Sequence, residues 1–257
     1  MTEPYYQVDF IAVGCKFEIL INDLSLLSLT INSQASTLIP LNSGIFKTGQ
    51  QKLEIKIYPL EGQEFLHPQA AFSYEIKIYD VKFGFELKDT LGGDKFPAVG
   101  VSKKLRSLEH VQNFHAEVPY VTDTWQKGQI LADVKDLNDK LKRAYSKIAM
   151  LIRNKEYERL KMEFANREQT MATAMYLSKE DSDARLSSLI EDIEAGFEAM
   201  PVHPTAVMRI FGSGKLAAYK KLNGEPAFGL LNHKTGEELL LDLAFYVPQG
   251  STEFELI

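Results

Sequence analysis

Apolar and polar residues alternate with a period of two along most of the first 120 positions, and this pattern predicts strands. Phe17, Ile19 and Ile21 share one face, Asn22-Asp23 makes a turn, and Leu27, Leu29 and Ile31 continue the face, so the segment reads as a hairpin. Leu53, Ile55 and Ile57 alternate with Lys52, Glu54 and Lys56, and Tyr74, Ile76 and Ile78 with Glu75 and Lys77. Such strands have one wet face, as antiparallel sheets do. Pro59 ends one of them, and a late strand runs from Val111 to Val118. Seven or so short strands predict an antiparallel β-sandwich.

Near Asp133 the period changes to 3.6. Val134, Leu137, Leu141, Tyr145, Ile148 and Ile152 predict one helix, and Tyr157, Leu160, Phe164, Met171 and Met175 a second. Ser178 with Asp181 three positions later is a helix cap, and Leu186, Leu189, Ile190, Ile193 and Phe197 form the stripe of a third helix ending before Pro201. After Pro204 alternation returns, with strands expected near 206–211, 215–222, 226–232 and 237–247 and a short tail at 253–257. Gly212-Ser213-Gly214, Asn223-Gly224 and His233 to Gly236 supply the turns between them. The fold class is therefore α+β: an N-terminal antiparallel β-sandwich, residues 1–127, followed by three helices packed on a curved antiparallel meander, residues 128–257.

The order of three helices and a curved meander, with the sequence MRIFGSGKLAAYKKLNGEPAFGLLNHKTGEELLLDLAFYVPQG, resembles the cone-shaped fold of the nuclear-transport-factor-like superfamily. The resemblance covers residues 133–257 and implies a concave sheet on helices. It implies little about activity, because that superfamily holds enzymes, binding modules and dimerisation domains, and it carries over no catalytic residue.

Charge narrows the partners. The chain holds 29 basic and 35 acidic residues, a net charge of -6, and residues 1–127 and 128–257 share it equally, so neither half has the basic field that nucleic acid binding requires. Cys15 is the single cysteine, which excludes an intramolecular disulfide and any multi-cysteine metal site. No secretory signal and no membrane span are visible, and a cytoplasmic location is the expectation.

Candidate chemistry is sparse. Gly212-Ser213-Gly214-Lys215 lacks the spacing, the following hydroxyl residue and the helix of a phosphate loop. His115 and Glu117 share a strand face and offer two metal ligands without a third. On the strand 237–247, Leu239, Leu241, Leu243, Phe245 and Val247 point towards the helices, leaving Asp242 and Tyr246 on the outer side, either for a partner or packed on the N-terminal half. Tyr145, Tyr157 and Tyr219 are the polar candidates for a pocket between helices and sheet, and Trp125 is a candidate wedge between the halves or a partner contact. Charge along the helices is asymmetric: residues 139–168 hold nine basic and five acidic side chains, residues 178–200 two and seven. Adjacent complementary helices account for the pattern, and the alternative is a face that steers a charged partner.

Together these features predict a non-catalytic protein, without cofactor, that recognises another protein; an immunity or accessory protein is the type. The alternative is a small-molecule binder or weakly motif-bearing enzyme with its pocket in the C-terminal half. A third possibility is a homodimer through the C-terminal sheet.

Overall fold

The computed structural model describes residues 2–100 and 103–257. The chain divides into two compact units, Met1–Thr122 with Ala174–Tyr176, and Asp123–Thr173 with Leu177–Ile257. The chain first passes from one to the other after Thr122, five residues before the boundary expected at 127.

The first unit is built on six strands: β1 (Pro4–Ile21), β2 (Leu24–Pro40), β3 (Gly49–Tyr58), β4 (Ala71–Asp80), β5 (Glu86–Phe96) and β6 (Leu108–Ala116). They form one antiparallel sheet in the order β5-β4-β1-β3-β6, with β2 paired to β1 beside that path. The hairpin of β1 and β2 turns at Asn22 (φ 50°) and Asp23 (φ 67°). Both positions are left-handed, the geometry whose twist matches a hairpin.

One strand organises the rest. β2 runs beside β1 from Gln7 to Ile21, so the other edge of β1 is shared: Pro4 to Val13 pair with β4 and Lys16 to Ile21 with β3. Between those stretches lies Gly14, at φ +55°, where the register shifts. Across that point β1 advances two residues, Val13 to Cys15, while β2 advances three, Gln34 to Ile31, so Asn32 and Ser33 of β2 lie against Gly14 and this bulge bends the pair. Accordingly Tyr6, Val8, Phe10 and Ala12 are buried before the bend and Cys15, Phe17, Ile19 and Ile21 after it. The sheet thus folds over itself into the two layers of the sandwich. Phe72 of β4 stacks on Phe10 at 5.6 Å and meets Phe17 at 5.1 Å, and Tyr74 Oη donates to Gln112 of β6 across the layers at 2.8 Å.

The second unit contains α1 (Leu137–Arg153), α2 (Tyr157–Met175), α3 (Lys179–Glu194) and β7 (Phe197–Ala199), β8 (Val207–Phe211), β9 (Leu216–Lys220), β10 (Gly229–Asn232), β11 (Glu238–Leu240), β12 (Phe245–Tyr246) and β13 (Glu255–Leu256). Ser178 and Asp181 cap α3 reciprocally, as their spacing predicts. Phe197 departs from the expected helical stripe. Gly196, at φ +104°, ends the helix in a conformation that only glycine adopts cheaply, and Phe197 opens β7.

The expected meander is divided. Its strands form two sheets, β11-β10-β7 and β13-β12-β9-β8, and the strand expected over 237–247 is split between them. Glu238–Leu240 pairs with β10 and Phe245–Tyr246 with β9. The chain changes partner between them, so Leu241 to Ala244 belong to neither ladder. Asn223-Gly224 also differs from expectation: Gly224 has positive φ and Asn223 does not. The turn closes instead through Gly224 N–H to the Lys221 carbonyl at 2.9 Å and Lys221 N–H to the Glu225 carbonyl at 2.8 Å, a three-residue loop with glycine in the left-handed position.

Candidate functional site

The space between helices and sheet in the second unit is filled by aromatic rings. Tyr145 of α1 lies 4.9 Å from Phe245, 5.2 Å from Tyr219 and 5.6 Å from Phe228 between ring centroids. Its hydroxyl donates to the Leu243 carbonyl and accepts from the Tyr219 N–H, both at 3.0 Å. Tyr219 donates its own hydroxyl to Asn138 Oδ1 at 2.6 Å. Burial raises the pKa of the Tyr145 phenol above the ordinary tyrosine value. Two of the three pocket candidates, Tyr145 and Tyr219, are therefore brought together, but as packing with its hydrogen bonds internal. Tyr157, at the start of α2, has a buried hydroxyl without a partner among the described residues.

The partner candidates separate as well. Asp242 is exposed and accepts from Lys220 Nζ at 2.6 and 2.7 Å. Tyr246 is a correction to the expected outer face, because only 5% of it is accessible. Its hydroxyl donates to Glu255 at 3.1 Å, and burial together with that carboxylate pushes its pKa to about 12. Glu255 of β13 and the backbone at Gly128 lie against this ring, which alternation alone does not reveal. Trp125 is buried inside the second unit, where a Cβ on Gly212 would meet its ring at 3.0 Å. His115 and Glu117 are exposed at the end of β6, and no cluster of three or more potential metal-binding His, Cys, Asp or Glu side chains occurs among the described residues.

A groove of about 420 Å³ lies elsewhere in the second unit, between α2, α3 and residues 239–243. Phe164, Leu186, Leu189, Leu239 and Leu241 give it apolar walls, and Arg167, Arg185, Asp192 and Asp242 give it charge. Beneath sits Glu168, a buried carboxylate. It accepts from Arg167 Nη1 at 2.7 Å and from Arg185 Nε at 3.0 Å, so it ties α2 to α3 and fixes both guanidinium groups at the groove wall. A carboxylate this buried is retained because two cations and directed hydrogen bonds replace its water. Leu240, the residue opposite the apolar set on β11, is 40% exposed on the same groove.

Of these residues, sequence alone points to Asp242 and misses Arg167, Glu168 and Arg185. The signal lies in the minority charges. Glu168 is an acid in the basic stretch and Arg185 a base in the acidic one, and opposite signs placed against the local trend find each other when the helices pack.

No family model matches the chain, and neither a curated protein nor a solved structure matches it. No helix is long and apolar enough to cross a membrane among the described residues.

Proposed function

We propose that this chain is a non-catalytic binding protein and that the groove between α2, α3 and residues 239–243 receives an amphipathic segment of another protein. The observation that carries the reading is the pairing of apolar walls with charges held in fixed positions by Glu168. An apolar side chain of the partner enters between Leu186, Leu189 and Leu239, while the rim charges set its orientation and raise its association rate.

The test is affinity purification of the tagged protein from its source organism at low and raised salt, using wild type, Leu240→Glu and Asp192→Lys. A stoichiometric protein retained at low salt, released as salt rises and lost with either substitution supports the reading. Thermal unfolding of both variants controls for folding. Equal retention by all three proteins removes the groove from the account.

A second reading rests on the same volume, which falls within the roughly 300–1,000 Å³ of small-molecule sites and has polar groups converging on it. A bound metabolite seen by native mass spectrometry, with no protein retained, favours that reading over the first.

A further inference from the structure

The first unit has three sheet edges, and they are not alike. β5 carries Glu86, Lys88, Asp89, Asp94 and Lys95 with two adjacent glycines, and β6 carries Glu109 and two histidines. Charges and glycine kinks are the usual means by which an edge strand is kept from pairing with another chain. β2 has neither. From Leu24 to Pro40 and on to Phe46 the sequence contains no charged residue, and among the described residues this 17-residue strand pairs with β1 and with no other strand.

β2 carries an extra residue against β1 at Asn32 and Ser33, opposite Gly14, yet its odd positions stay on one face on both sides of it. Leu27, Leu29, Ile31, Ala35, Thr37 and Ile39 lie opposite buried β1 residues, while Ser28, Thr30, Gln34 and Ser36 lie on the other face, opposite Glu18, Lys16, Val13 and Ile11. Next to this edge large apolar side chains stay uncovered: Leu29 is 40%, Leu38 43% and Ile11 42% exposed.

We propose that the free edge of β2 pairs antiparallel with β2 of a second copy of this chain. A two-fold axis at Ser33 makes the strand complementary to itself. It sets Leu27 opposite Ile39 and Ile31 opposite Ala35 on the core face, and Thr30 opposite Ser36 and Asn32 opposite Gln34 on the outer face. Each chain carries -6, and an uncharged strand is the edge along which two such chains meet without repulsion. About that axis residues 26–40 of the strand pair, a length of about 50 Å, and with a depth of about 10 Å the pair buries roughly 1,000 Å², the threshold size of a specific interface. This contact is independent of the groove.

The experiment is light scattering on the full chain at about 100 µM, a concentration that populates even a micromolar dimer. Wild type is expected as a dimer. Thr30→Lys/Ser36→Lys, which sets lysine against lysine twice across the axis, weakens it about tenfold. Thr30→Glu/Ser36→Glu does the same alone, and mixing the two variants restores a dimer. Ser33→Cys forms an intermolecular disulfide under mild oxidation, because facing residues lie about 4.5–5.5 Å apart, within disulfide reach, whereas the native Cys15 is buried. A wild-type monomer overturns the proposal. So does a dimer that keeps its affinity with both lysines and gives no disulfide with Ser33→Cys, since the contact then lies on another surface.

Discussion

The two units solve the same problem, burying an apolar sheet face, with different resources. The first uses long strands around an apolar centre of Phe10, Phe17 and Phe72. Buried polar side chains serve its strand ends and loops: Asn42 accepts from the Tyr6 N–H and donates to the Pro4 carbonyl, and Gln51 donates to the carbonyls of Lys47 and Gly49. The second uses seven strands of two to five residues, and every break between them leaves backbone groups that must find partners elsewhere. Side chains provide them. Tyr145 serves the Leu243 carbonyl and the Tyr219 N–H, Gln129 serves the carbonyls of Pro248 and Ser251, and Asn232 accepts from the N–H groups of Lys234 and Thr235. Both cores hold polar atoms, and in each they serve backbone groups where a ladder stops. Short strands stop more often, and each stop becomes a point where a single oxygen matters.

The comparison is broken most strongly at Phe72. Phe72→Ala removes the ring that joins both layers and is expected to cost the first unit about 3–5 kcal/mol. Amide hydrogen exchange checks this: β1 and β4 lose protection while α1 and β9 keep theirs. A loss in both units together would show that they unfold as one. Glu168→Ala leaves two arginines without their carboxylate. It is expected to cost about 2–3 kcal/mol, less than for a fully buried pair because both guanidinium groups reach water, and it is read as a lower denaturation midpoint of the second unit. Tyr145→Phe keeps the ring and deletes one oxygen. Because it strands the Leu243 carbonyl and the Tyr219 N–H, it should cost roughly 1–2 kcal/mol in the same measurement, whereas an apolar trim of that size at Phe72 has no hydrogen bond to lose.

The smallest effect sharpens the contrast through pH. Tyr246 has its pKa raised from 10.0 to about 12 by burial and Glu255. The folded state therefore favours the neutral phenol, and its contribution is complete below pH 10 and lost as pH rises towards 12. Stability measured across that range should fall less steeply in Tyr246→Phe. Other buried tyrosines keep part of the slope.

The elements are largely legible from periodicity, and the joints between them are not. The capping box at Ser178 and the Asn22-Asp23 turn depend on neighbours in sequence, so local chemistry names them. The split of 237–247 depends on which strands flank it, and Leu241 to Ala244 look like strand because their side chains still alternate while the backbone changes partner. Phe197 reads as helical because its spacing fits, although Gly196 directly before it marks the stop. In the candidate site, Asp242 is visible as a polar residue in an apolar run. Glu168 and Arg185 lie 17 positions apart, on two helices whose relative rotation no periodicity fixes.

Gly14 carries a consequence for how this chain tolerates changes in length. The buried residues of β1 fall on every second position from Tyr6 to Gly14, and Cys15, directly after Gly14, starts a second such series. Deleting Gly14 would merge the two into one unbroken series from Tyr6 to Ile21, a better strand by any measure of alternation. It would also straighten the corner at which β4 and β3 part, leaving two strands to compete for one edge. The residue that spoils the pattern is the one that turns a ribbon into an enclosure, and a redesign that rewards regularity would discard it first.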